Sequence, residues 1–224
     1  MLAAGVREDL VQMVPTPFDT EWWRLAARGP LSDEFAAIAS AKTSGRQILV
    51  YPASLLAAKR HDTLLRALAI VKKRFPDVLL CCPGRFGADH LRPLASSLGM
   101  VGNVMFTESM VRQEAIPPLL AAADLMVFSS ESETYGKALI EGFCIGTPTV
   151  STRVGVAFEA EQAGAAMVCD VGDHETMAQY IIFLLENREV AEHMKERARK
   201  WVDENYSFQT VGEKMIGLME GLAT

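Results

Sequence analysis

Two glutamates, Glu133 and Glu141, flank seven residues in Ser129-Ser130-Glu131-Ser132-Glu133-Thr134-Tyr135-Gly136-Lys137-Ala138-Leu139-Ile140-Glu141-Gly142. The stretch follows an apolar run that ends at Phe128, passes through small polar residues and turns helical near Gly136, stopping at Gly146-Thr147-Pro148. A helix that starts there offers unpaired backbone amides and the positive end of its dipole, both of which attract phosphate. Gly136 lets the backbone approach a ligand closely. Glu141 falls among Ala138, Leu139, Ile140, Phe143, Cys144 and Ile145, so its carboxylate needs hydrogen-bond partners. A ribose diol supplies two donors. The alternatives are one wet stripe on an apolar helix, or a pair with a structural arginine.

The elements that must position these residues follow a regular rhythm. Gln47–Tyr51, Val78–Cys82, Asn103–Thr107, Leu125–Phe128, Thr149–Thr152 and Ala166–Cys169 are brief apolar runs that end in Pro, Gly or small polar residues, and they read as buried strands. Helical patterns lie between them. The clearest is Asp62–Phe75, with Leu64, Leu65, Leu68, Ile70 and Val71 on an apolar face and Lys72, Lys73 and Arg74 in the last turn. This alternation predicts a Rossmann-like three-layer α/β/α fold with a mainly parallel sheet of about six strands. Ligands in such sheets sit outside the carboxyl ends of the strands, which singles out the loops after each strand. Toward the carboxyl terminus, Asp173–Glu186 and Glu189–Asp203 read as helices broken at Asn187-Arg188. Ser207 starts a third, with Phe208, Val211, Met215, Leu218, Met219 and Leu222 on one stripe. Asp9–Val14 reads as an isolated strand, Pro15–Asp19 as a stiff turn, and Trp22–Ser44 as one or two short helices.

Composition excludes several classes. Half of the 224 residues are hydrophobic and 22% are charged, enough for a real core. Lys and Arg number 22 against 28 Asp and Glu, a net charge of -6, which disfavours a nucleic-acid partner. Cys81, Cys82, Cys144 and Cys169 lack C-x-x-C spacing and read as buried thiols of a cytoplasmic chain. No apolar run approaches the roughly 20 residues of a transmembrane segment, and the first residues lack a signal-peptide pattern. His61, His90, His174 and His193 are dispersed, without metal-ligand spacing. Lys195–Lys200 reads as a solvated helix face. P-loop, dinucleotide-binding and nucleophile-elbow motifs are all absent.

The pair Glu133 and Glu141, with Ser129-Ser130 before it and a Gly-x-Pro turn after it, resembles the E-x7-E signature of the GT4-like, group 1 retaining glycosyltransferases of the GT-B fold. Other segments resemble that family in order: Phe18–Trp23 the end of the interdomain linker, Lys59 with Leu64–Leu68 the family lysine and its helix, Ala122–Phe128 the run into the signature, and Tyr206–Phe208 the start of a closing helix. The resemblance implies a nucleotide-diphospho-sugar as partner and retaining transfer without metal or other cofactor. Glu133 and Lys59 would be catalytic, Glu133 facing the sugar hydroxyls and Lys59 neutralising the diphosphate. Thr134, Tyr135, Gly136 and Lys137 would present amides to sugar and phosphate. Glu141 would take the ribose, and Met110 and Val111 would line the base.

Two departures from the pattern stand out. Many relatives carry an arginine five residues before the lysine, where this chain has Ser54, whose hydroxyl can still donate to phosphate. Arg60 or Arg85 could take over the charge, although Arg85, which follows a strand end, reads first as a solvated loop arginine. The second departure is length, since the GT-B fold needs two Rossmann-like domains. The resemblance divides the chain into a remnant and linker at 1–30, a nucleotide-sugar-binding domain at 31–204 and a crossing helix at 205–224, with the acceptor domain missing or carried by another subunit. The complete enzyme would dock peripherally at the inner membrane face. A non-catalytic module that binds a nucleotide, a nucleotide sugar or a partner protein is the alternative reading.

Overall fold

The six apolar runs form the six strands of one parallel sheet: β1 (Ile48–Val50), β2 (Leu79–Cys82), β3 (Val104–Phe106), β4 (Leu125–Phe128), β5 (Thr149–Thr152) and β6 (Met167–Cys169). The computed structural model describes residues 12–107 and 110–222. All four residues of β2, β4 and β5 are buried, as expected for strands covered by helices on both faces. The strand order is β3-β2-β1-β4-β5-β6. The chain therefore runs outward from β1 to β3, then returns to lay β4 on the other side of β1. Because such crossovers are right-handed, this reversal puts the two sets of connecting helices on opposite faces.

On one face α3 (His61–Arg74) packs against α8 (His174–Glu186) and α4 (Arg92–Ser97); on the other, α5 (Ile116–Ala122) packs against α6 (Lys137–Ile145). The α3 helix covers nearly the expected range. Arg60 opens it in a left-handed conformation at φ 49°, and Phe75 leaves helical geometry before Pro76. The Trp22–Ser44 stretch holds α1 (Thr20–Ala26), a 3-10 turn at Asp33–Phe35 and α2 (Ala36–Thr43). Asp19 caps α1 by accepting from the Trp22 amide at 2.9 Å. Trp23 is buried against Phe18, and α1 lies on α5 and α6.

The short helix α7 (Ala157–Gln162) joins β5 to β6, and α9 (Arg188–Tyr206) packs on α6. The final helix, α10 (Phe208–Leu222), starts where the Phe18 amide donates to the Tyr206 carbonyl at 2.7 Å. Its stripe divides: Val211 is buried, whereas Phe208, Met215 and Met219 are exposed and Leu218 is half-buried. Most of the strand expected over Asp9–Val14 lies outside the described residues. Residues 12–14 form neither strand nor helix. The four cysteines are buried thiols, and among the described residues no helix is long and apolar enough to cross a membrane.

Candidate functional site

The adjacency of β1 and β4 brings together two loops that lie far apart in the chain. After β1 the backbone passes Ser54, makes a 3-10 turn at Ala57–Lys59 and enters α3 through Arg60. After β4 it runs through Ser129–Tyr135 into α6. Hydrogen bonds stitch the two. Ser129 Oγ shares its one proton between the Lys59 and Arg60 carbonyls, 2.9 and 3.0 Å away, and the Glu131 amide donates to the Ala58 carbonyl at 2.9 Å. Tyr51, buried at the end of β1, donates its hydroxyl to the Lys59 carbonyl at 3.0 Å and lies 3.0 Å from Ser130 Oγ.

This scaffold places Lys59 Nζ 2.5 Å from Glu133 Oε1, and Ser130 Oγ donates to the same oxygen at 2.6 Å. The two side chains retain 23% and 14% exposure, so the pair is sheltered but reachable. Beyond it the chain turns into α6. The amides of Thr134, Tyr135, Gly136 and Lys137 donate to no described residue. Gly136 adopts φ 85° at the helix start, a conformation that side chains other than glycine rarely take. Successive unpaired amides at a helix start, with the positive end of the helix dipole behind them, are the kind of arrangement that attracts anions.

Glu141 lies one turn into α6 with its side chain 15% exposed, and its nearest cation is Lys137 Nζ at 4.0 Å. Burial raises the Glu141 carboxyl to about 7, and Lys137 offsets this only in part. The pair with a structural arginine is thus not what is found. The Tyr135 ring lies edge-on to Tyr206 at 5.9 Å, with its hydroxyl donating to the Thr16 carbonyl at 3.3 Å. Its own carbonyl accepts from the Val156 amide at 3.1 Å. That contact needs Gly155, because a Cβ there would lie 2.5 Å from the Tyr135 oxygen.

Lys59, Glu133, Thr134, Tyr135, Gly136, Lys137 and Glu141 all belong to this junction. Ser54 is half-buried in the β1 loop, and its hydroxyl has no hydrogen-bond partner among the described residues. Met110 and Val111 stand in the loop after β3, two strands away, the first exposed and the second packed against the core. Sequence reasoning missed the supports: Tyr51, the bonds made by Ser129 and Ser130, and the Gly155 loop. A tyrosine ending an apolar strand was the available signal, because a buried hydroxyl requires a partner. His61 is buried beside Tyr51, ring centroids 4.7 Å apart, with neither ring nitrogen hydrogen-bonded. Burial lowers it to about 4, which keeps the ring neutral. Among the described residues no three His, Cys, Asp or Glu side chains gather as a metal-holding group.

The family model described as glycosyl transferases group 1 matches residues 33–201. The chain belongs to that family. It is 32% identical over 171 residues to N-acetyl-alpha-D-glucosaminyl L-malate synthase of Bacillus anthracis, covering 75% of this chain and 44% of that protein. The lipopolysaccharide core biosynthesis glycosyltransferase LpsE of Rhizobium meliloti is 30% identical over 163 residues, covering 72% and 46%. The chain thus spans about half the length of these relatives. Among solved structures, Anabaena HepE in complex with UDP superposes with a TM-score of 0.80 at 21% identity, over 97% of this chain and 59% of that one. The C-terminal domain of LpcC from Francisella tularensis, a group 1 family protein, superposes with a TM-score of 0.70 at 14% identity, over 85% of this chain and 99% of that one. These similarities give the fold, a Rossmann-like unit of the kind found in GT-B glycosyltransferases.

Proposed function

We propose that this chain is the donor-binding part of a retaining, metal-independent glycosyltransferase, which takes a nucleoside-diphospho-sugar, with a hexose as the sugar, at the carboxyl ends of β1 and β4. The observation that carries the reading is the junction itself: a sheltered Lys59–Glu133 pair beside four unpaired amides, with the partly buried Glu141 one helix turn further on.

In this reading the diphosphate settles on the amides of residues 134–137 and draws the Lys59 ammonium to itself, freeing Glu133 to accept from the sugar hydroxyls. Glu141 accepts from the ribose diol. The bond from the anomeric carbon to the phosphate oxygen breaks as Lys59 and the amides stabilise the charge that develops there. The acceptor oxygen attacks from the same face, and its proton passes to the departing phosphate, so configuration is retained. Lys59 and the helix amides perform the charge neutralisation that a metal ion performs elsewhere. The acceptor is held by a further domain or subunit, toward which the linker at 1–30 and the crossing helix at 205–224 lead. Four reduced cysteines suit a cytoplasmic setting, with peripheral contact at the inner membrane face in the complete enzyme. A module that docks a protein without turnover is the second reading, favoured by the exposed Phe208, Met215, Ile216 and Met219 on α10.

Thermal unfolding of the chain with millimolar UDP, GDP, ADP and their sugar conjugates tests the proposal. A ligand at a hundred times its dissociation constant adds about 2.7 kcal/mol, so one nucleotide should raise the melting temperature by several degrees. Glu141→Ala should abolish that shift in a folded protein. A folded parent that responds to none of them overturns the donor-site reading and leaves the docking module.

A further inference from the structure

The donor site is short of positive charge. Lys59 is already neutralised by Glu133 at 2.5 Å, and a nucleoside diphosphate brings at least two more negative charges. Most cations on the same sheet edge are committed. Arg60 is bound to Asp62 at 3.1 Å and Glu131 at 3.3 Å, Lys137 faces Glu141 at 4.0 Å, and Arg153 holds Glu161 at 2.7 Å and Asp170 at 3.7 Å. Arg85, in the loop after β2, and Arg112, in the loop after β3, have no carboxylate partner among the described residues.

Of the two, Arg85 stands beside the site. Its carbonyl accepts from the Leu55 amide at 2.9 Å, which ties its loop to the one that carries Ser54 and Lys59. The approach is so close that a Cβ on Gly84 would lie 2.0 Å from the Ala53 oxygen and 3.2 Å from the Ser54 Cα. The Gly84 amide also donates to Thr107 Oγ1 at 3.2 Å, which anchors the loop on the β3 side. Arg112, by contrast, follows β3, a strand separated from β1 by β2. The Arg85 guanidinium makes no hydrogen bond within the described fold; it lies 5.8 Å from the centre of the Phe86 ring. Phe86 itself adopts φ 73° with half of its surface in solvent. A phenylalanine in a left-handed turn that buries so little is held there at a conformational cost, and its ring restricts where the guanidinium can go.

We propose that Arg85 is the second cation of the donor site, contacting the phosphate nearer the nucleoside from the β2 side while Lys59 acts from β1. The proposal rests on the donor-site reading. It follows that phosphate recognition is divided between two loops fastened to each other at Gly84.

The test is a titration of the full chain, by ligand-observed NMR, with UDP, GDP and ADP and with uridine, guanosine and adenosine. Arg85→Gln should weaken the preferred diphosphate roughly tenfold, the order expected for a charge-assisted contact, and leave the parent nucleoside within about twofold. Arg85→Lys should recover part of the loss, and Arg112→Gln should leave both affinities unchanged. Arg85→Met, which keeps the stem against Phe86, should behave like Arg85→Gln and serves if that variant does not fold. Diphosphate binding within twofold of the parent in both neutral variants overturns the role of Arg85 while the donor site stands. A folded parent that binds none of the nucleotides overturns both.

Discussion

The two ends of the parallel sheet treat their polar groups in opposite ways. At the amino edge several long side chains close backbone ends. Arg199 donates twice to the Ile145 carbonyl, at 3.0 and 2.6 Å, and Arg24 donates to the Cys144 carbonyl at 3.2 Å, so two arginines finish α6. Arg46 spans the Asp77 and Gly102 carbonyls, Lys72 reaches Gly99, Lys42 reaches Ala122, and Asp124 accepts from the Ile48 amide. At the carboxyl edge some polar groups are left over among the paired ones: four amides, the Arg85 guanidinium, a largely buried Glu141 and an unbonded His61. Both non-glycine residues with positive φ among the described residues, Arg60 and Phe86, are there too. Glycines differ in the same sense. A Cβ on Gly146 would meet the movable side chain of Arg199, whereas Cβ atoms on Gly84 and Gly155 would meet backbone. At the amino edge long side chains complete the backbone ends. The other carries uncompensated groups that a ligand would complete.

The largest effect expected from this contrast is at Gly84. Its Cβ would strike the Ala53 backbone, so Gly84→Ala should destabilise the chain by about 3 kcal/mol, read from urea unfolding. A loss below about 1 kcal/mol would mean that the loop yields and the carboxyl edge is less tightly built than the contacts indicate. Next comes Arg199→Met, which strips the Ile145 carbonyl of its two donors. It should lower stability by about 2 kcal/mol and leave nucleotide affinity unchanged. If affinity falls with it, the two edges are coupled.

The smallest of the three effects has the opposite sign. With Glu141 raised from 4.5 to about 7, the folded chain keeps a proton that the unfolded chain releases. Its contribution to stability is full below pH 4.5 and is lost as pH rises through 7. Glu141→Gln removes that slope and should stabilise the free chain at pH 8 by about 1 kcal/mol. His61 works the other way. Its depressed value means stability is lost as pH falls from 6.5 toward 4, so the acid limb should persist in Glu141→Gln. Urea midpoints at pH 5 and pH 8 read both slopes. An unchanged pH 8 midpoint would place the Glu141 carboxylate in a wetter setting than its 15% exposure implies.

Much of this was legible in the residues. Six apolar runs punctuated by Gly, Pro and small polar residues specified six buried strands, because fully covered strands have no polar face to display. β4 and β5 match the expected bounds, and α8 begins one residue after the expected start because Asp173 serves as its cap. Glu141 was marked by its apolar neighbours alone, and the fold does bury most of it. Less accessible were the contacts between loops. Ser129 and Ser130 read as small polar loop residues, whereas in the fold they hold the β1 and β4 loops together.

What the sequence by itself determined is the kind of element at each position and the presence of a carboxylate in an apolar helix, since periodicity and burial preference act over a few residues. Which strand lies beside which was decided only by the tertiary structure, because any two buried parallel strands can pair through the same backbone groups. Placing β4 next to β1 closed the 74-residue gap between Lys59 and Glu133 to a 2.5 Å contact. The pairing of β2 with β1 likewise set the Arg85 loop beside Ser54, through one backbone hydrogen bond and a glycine with no room for a side chain.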